Sequence, residues 1–109
     1  MGATVYGYSL APNSEPNLYN VCQISTLFES EFGDIRDQQA LSSAITNFRP
    51  DVVIHMAAQP IVRVAYANPI DTLTTNVIGT ANVLEAARHC ESIRAIISVT
   101  TDKCYENKE

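Results

Sequence analysis

Ile93-Arg94-Ala95-Ile96-Ile97-Ser98-Val99, followed at once by Thr100-Thr101-Asp102-Lys103-Cys104-Tyr105, is the stretch whose reading decides the fold. A short β-branched apolar run reads as a buried strand of a parallel sheet. Its abrupt change to hydroxyl, acid and base delivers reactive side chains at the strand's C-terminal end. In open α/β sheets that end is where ligands bind.

The elements before it fit the same architecture. Ile70 to Arg88 is a long amphipathic stretch, with Leu73, Val77, Thr80, Leu84 and Ala87 as its predicted packing stripe and Gly79 permitting close approach to the sheet. Cys90 to Ser92 is the turn into the final strand. Ile61 to Ala67 reads as helix, interrupted by Asn68-Pro69. Val52-Val53-Ile54 is a short apolar run suited to a strand buried on both faces. Asp37 is a good N-cap for a helix through Phe48, with Ala40, Leu41, Ala44, Ile45 and Phe48 at three- and four-residue intervals and Pro50 ending it. Ser30 to Ile35 is a short strand closed by Gly33-Asp34. Leu18 to Ile24 gives one or two helical turns, Leu10 to Asn17 a loop, and Thr4 to Ser9 a strand. Strands alternating with helices imply right-handed crossovers and a doubly wound parallel α/β sheet.

The 109 residues leave room for one domain, and 46% hydrophobic with 17% charged residues is a globular composition. A net charge of −5 argues against a nucleic-acid partner, which needs clustered Lys and Arg. No apolar run approaches the ~20 residues of a membrane helix, and the start lacks the pattern of a secretory signal. Cys22, Cys90 and Cys104 are odd in number and lack metal spacing, so they read as reduced thiols of a cytoplasmic protein. With His55 and His89 as the only histidines, no metal site is expected. The four glycines, at 2, 7, 33 and 79, form no glycine-rich phosphate turn. A complete dinucleotide-binding fold places such a turn, and a first strand, ahead of Thr4. The expectation is a partial sheet lacking both; the alternative is a genuine small α/β domain.

Three stretches resemble the extended short-chain dehydrogenase/reductase family. Gly33-Asp34-Ile35-Arg36-Asp37 is similar to its G-D-[IL]-x-D, and Asp51-Val52-Val53-Ile54-His55-Met56-Ala57-Ala58-Gln59 to its D-x-[VI]-x-H-x-A-A. Thr75-Asn76-Val77-Ile78-Gly79-Thr80 is similar to its T-N-[VI]-x-G-T. The motifs occur in the family's order and cover nearly the whole chain. Within the family, Thr101-Asp102-Lys103, with His55 to Pro60 and Arg63, resembles the sugar-nucleotide 4,6-dehydratases of the CDP-glucose type; the dTDP-glucose type reads T-D-E, and epimerases lack the acid.

The resemblance implies a Rossmann-like, NAD-binding domain over residues 1–109 and a nucleotide-sugar substrate, CDP-glucose. By analogy the parent protein is a homodimer. Asp34 and Ile35 would contact adenine, the carboxylate accepting the amine and Ile35 covering the ring. Ala57 and Ala58, being small, would line the dinucleotide groove, and Gln59 would bond ribose or substrate hydroxyls. Thr75 would lie near the cofactor and Thr100 beside the nicotinamide. Tyr8-Ser9-Leu10 offers no acid for the ribose hydroxyls. Asn76 either braces helix against sheet or takes part in catalysis, and Arg63 either pairs with a phosphate or sits on a solvated helix face. His55 reads as a satisfied core histidine in preference to a catalyst.

The implied reaction removes a hydride from C4 of the hexose, eliminates water across C5 and C6, and returns the hydride to C6. Thr101 would bond the C4 oxygen, Asp102 protonate the departing hydroxyl and Lys103 take the C5 proton. Burial shifts both pKa values the required way, whereas pairing the adjacent Asp and Lys would oppose both shifts. The family takes the C4 proton with a Y-x-x-x-K tyrosine. Tyr105 has Glu109 at the fourth following position, so the chain alone is expected to be inactive. A non-catalytic, partner-binding fragment is the competing expectation, and an epimerase of the same family the nearest enzyme alternative.

Overall fold

The computed structural model describes residues 2–101 and Glu106. Asp102, Lys103 and Cys104-Tyr105 lie outside the described residues.

Among the described residues, four short strands run β1 (Tyr6–Ser9), β2 (Glu29–Phe32), β3 (Val52–His55) and β4 (Ala95–Ser98). Between β1 and β2 lie the single turn α1 (Leu18–Val21) and a 3-10 turn at Ile24–Thr26. Helix α2 (Gln38–Phe48) joins β2 to β3. Helices α3 (Val62–Ala67), α4 (Pro69–Leu73) and α5 (Gly79–Arg88) join β3 to β4, with Thr74–Ile78 a π-helical turn between the last two. Both pairings are parallel, Tyr6–Ser9 with Glu29–Phe32 and Val52–His55 with Ala95–Ser98. The two ladders are separate two-stranded sheets, in keeping with the partial sheet expected from the sequence.

Local chemistry sets the helix boundaries. The Asp37 carboxylate caps α2 by accepting the Ala40 N–H at 3.0 Å. At the other end Arg49 takes the left-handed conformation (φ 53°) and donates its N–H to Ile45 O, and Pro50 follows. Pro69 opens α4, where a missing N–H costs nothing.

The core joins the ladders through α2 and α5. Ile35, Leu41, Val83 and Ala86 form its cluster, with Tyr8 of β1, Ile45, Val53 of β3 and Ala57 packed against it. The predicted stripe on the long helix is right in part: Ala87 is buried, Thr80 half-buried and Gly79 makes the expected close approach. Leu73, Val77 and Leu84 are exposed (Leu84 46%), whereas Gly79, Val83 (4%), Ala86 and Ala87 are buried. The inward face carries small side chains because the helix lies very close to β2's exit. A Cβ on Gly79 would lie 2.5 Å from Ile35 Cδ1. Leu73, Val77 and Leu84 lie on the outer face, while Val83 joins the small residues on the inner one.

The strand expected to be buried on both faces is covered on one. Val53 and His55 face the core, while Val52 and Ile54 (60%) are exposed. All four residues of β4 are exposed. Alternation along β3 therefore places a single face against α5, and the buried-strand reading of both runs is corrected.

Candidate functional site

The chemistry-bearing residues gather where the strands end. After β2 the chain passes Gly33, whose N–H is donated to Ser9 O at 2.9 Å. A Cβ at Gly33 would overlap the Tyr8 ring, 2.2 Å from its Oη, so this passage requires the bare backbone of glycine. Asp34 follows. Its carboxylate accepts the Arg36 backbone N–H at 2.8 Å and the Arg36 guanidinium at 2.6–3.0 Å, and Arg36 also pairs with Asp71 at the start of α4. The Arg36 hydrogen bonds hold the Asp34 carboxyl below the usual carboxylate range, against a smaller opposing effect of burial. Ile35 is buried in the core cluster instead of presenting its side chain to solvent. Its C=O accepts from Asn82 Nδ2 at 2.9 Å, while its N–H has no partner among the described residues.

At the exit of β3, His55 is buried, and its Nε2 lies 2.8 Å from Thr80 Oγ1. Burial pushes its pKa down. Ala57 rests on the core and Ala58 is exposed. The Gln59 backbone is held on both sides by one amide: its N–H is donated to Asn76 Oδ1 at 2.7 Å, and its C=O accepts from Asn76 Nδ2 at 3.0 Å. Its side chain is engaged locally, accepting the Ile61 N–H and donating to Ile61 O and Thr72 Oγ1. Asn76 thus braces helix against strand exit. The sequence reading missed the pairing of His55 with Thr80, which no spacing rule signals across 25 positions.

The remaining residues are more open. Thr75 is half-buried in the π turn and makes no side-chain hydrogen bond among the described residues. Thr100 and Thr101 are exposed just beyond β4. Val99 donates its N–H to His55 O at 2.9 Å, which sets the β3 and β4 exits side by side. Arg63 is exposed on α3. The exits of β2 and β3 can take a flat, polar-edged ligand: Asp34 supplies an acceptor, Ile35 a free N–H, and Ala57-Ala58 bring no bulk.

Parallel β-α-β units with their polar groups at the strand exits define the class, a partial Rossmann-like α/β fold. A solved UDP-glucose-4-epimerase from Stenotrophomonas maltophila, with bound NAD and formylated UDP-arabinopyranose, has the same fold. It superposes with a TM-score of 0.77 over 99% of this chain and 32% of its own, at 21% identity. The family model described as GDP-mannose 4,6 dehydratase matches residues 5–108, and the chain belongs to that family of sugar-nucleotide 4,6-dehydratases. The chain is 46% identical to CDP-glucose 4,6-dehydratase of Salmonella typhimurium over 109 residues, all of this chain and 30% of that protein. It is 37% identical to CDP-paratose 2-epimerase of Salmonella typhi over 92 residues, 83% of this chain and 27% of that one. The chain thus spans less than a third of the length of these relatives.

Proposed function

We propose that this chain is the partial NAD-binding domain of a CDP-glucose 4,6-dehydratase, a lyase of polysaccharide biosynthesis acting in the cytoplasm. The observation that carries the reading is Thr101-Asp102-Lys103 following β4, together with 46% identity along the whole chain to the Salmonella typhimurium enzyme. Asp34 and the Ile35 N–H form an acceptor–donor pair that complements the amine and ring nitrogen of adenine. Ala57, Ala58 and Gln59 form the groove wall, Thr75 the side nearest α4, and Thr100 the nicotinamide side. NAD, when bound, supplies the hydride acceptor and donor. Thr101 bonds the C4 oxygen, Asp102 gives a proton to the departing C6 hydroxyl, and Lys103 takes the C5 proton. For the parent protein we propose a homodimer through the long helix, whose Ile70, Leu73 and Val77 are exposed.

The test is a graft. This chain replaces the matched 109 residues of the Salmonella enzyme, and sugar products are resolved from CDP-glucose, dTDP-glucose and UDP-glucose. A 4-keto-6-deoxy product from CDP-glucose supports the reading. Turnover of dTDP-glucose alone, or epimerised products, sinks the subfamily assignment. One observation favours a second reading, a non-catalytic partner-binding piece: Val52, Ile54 and Ile97 lie exposed on β3 and β4. A graft that folds, binds NAD and turns nothing over would favour it.

A further inference from the structure

We infer that Thr80 is a positioning residue for the ligand-facing arch Met56–Ala58, because one helical turn, Asn76 to Thr80, grips both ends of the His55–Gln59 span. The inference rests on the proposed nucleotide site at that arch.

The hydrogen-bond directions follow from Thr80 having one hydroxyl proton. It donates that proton to Asn76 O at 2.7 Å. The 2.8 Å contact to His55 must then run the other way, with His55 Nε2–H donating to Thr80 Oγ1. His55 is accordingly the neutral Nε2–H tautomer, as its buried position favours. From the same turn, the Asn76 amide takes both backbone groups of Gln59. The ring His55–Thr80–Asn76–Gln59 is thereby closed by side chains at both ends of the span. Between these clamps the backbone N–H groups of Met56, Ala57 and Ala58 have no partner among the described residues. An arch of free donors with fixed ends meets a ligand without first paying to be ordered.

Thr80 acts through its neighbours and touches no reacting atom. Replacing it with valine keeps the shape, leaves the His55 N–H unpaired and removes the hydroxyl donor to the Asn76 carbonyl, which stays within the helix.

The experiment uses the full chain, 15N-labelled, with amide hydrogen exchange, imidazole nitrogen shifts and NAD titration as readouts. Thr80→Val is expected to speed exchange at Gln59 N–H about tenfold, with Val53 and Ile54 unchanged, and to weaken NAD binding about five- to tenfold. Thr80→Ser, which restores the hydroxyl, is expected within about twofold of the parent on both. Asn76→Asp removes the donor to Gln59 O and is expected to weaken NAD binding as Thr80→Val does.

The inference is overturned if Thr80→Val leaves Gln59 protection at the parental level, if it speeds all β3 amides equally, or if the His55 nitrogens show the Nδ1–H tautomer. Should Thr80→Val not fold, the other two variants decide: binding kept by the serine and lost in Asn76→Asp supports the inference, and parental binding in both overturns it. A parent chain that binds no NAD but shows the expected exchange pattern sinks the cofactor reading and leaves the brace standing.

Discussion

The exits of β3 and β4 lie side by side, yet they are held in different ways. Both follow β-branched runs, and both lead into polar residues assigned to the same ligand. The β3 exit is fixed by Thr80 below and Asn76 above, and its Val53 and His55 face the core. The β4 exit hangs on the ladder through Val99 N–H to His55 O, and every residue of β4 is exposed. Proximity in a parallel sheet therefore does not equalise order. The groove-wall half of the proposed site is braced from behind by side chains, whereas β4 itself is held to β3 by the ladder.

The contrast breaks most readily from the core side. Leu41→Ala removes a side chain that is 3% exposed and packs in the cluster behind β3. The expected cost is about 2–4 kcal/mol in urea unfolding, a large fraction of the ~5–15 kcal/mol that ordinarily holds a domain folded. Gly79→Val comes next. Its branched side chain meets Ile35 Cδ1 and Cγ1, which are enclosed by the core and cannot step aside freely. A loss of about 1–3 kcal/mol is expected, read in the same titration.

A smaller effect tests the braced histidine. Burial holds the pKa of folded His55 below its ordinary value, so the unfolded chain binds more protons as pH falls. The stabilisation is complete above about pH 6.5 and lost as pH drops through that value toward the folded pKa. Thermal midpoints are expected to fall between pH 7.5 and 5, with a shallower fall for His55→Gln. Asp34, held low by Arg36, and Glu85, held down to about 2 by Arg88 and His89, lose their contributions only at lower pH, outside this window. Equal slopes in both proteins would refute the assignment to His55.

The smallest effect lies on the open strand. Ile97→Thr is expected to change stability by less than about 0.5 kcal/mol, because Ile97 is half exposed and threonine keeps the β-branch. A loss above 2 kcal/mol in the isolated chain would mean that β4 is covered in solution and would erase the contrast.

What the sequence disclosed depended on range. Asp37 with the apolar spacing Ala40, Leu41, Ala44 and Ile45 marked α2 to within a residue, since caps and periodicity are local. The order of parallel strands was legible for the same reason, and so was the family, through its three motifs. The face of α5 was legible only at Gly79, Thr80 and Ala87. Periodicity finds the large apolar residues, but a helix pressed against Ile35 must turn its glycine and alanines inward. Nor could spacing show that Gln59 is consumed by Ile61 and Thr72, or that Thr80 meets His55, because those contacts exist only once strand and helix are packed.

Tyr8 and Gly33 carry a consequence for sequence drift. The ring of one occupies the space where a side chain on the other would begin, so Gly33 is not free to change while Tyr8 keeps its ring. Across relatives a residue larger than glycine at the second is expected only where the first has already given up its aromatic ring. That joint history would tie the outermost ladder to the ligand-facing turn more tightly than any single hydrogen bond between them.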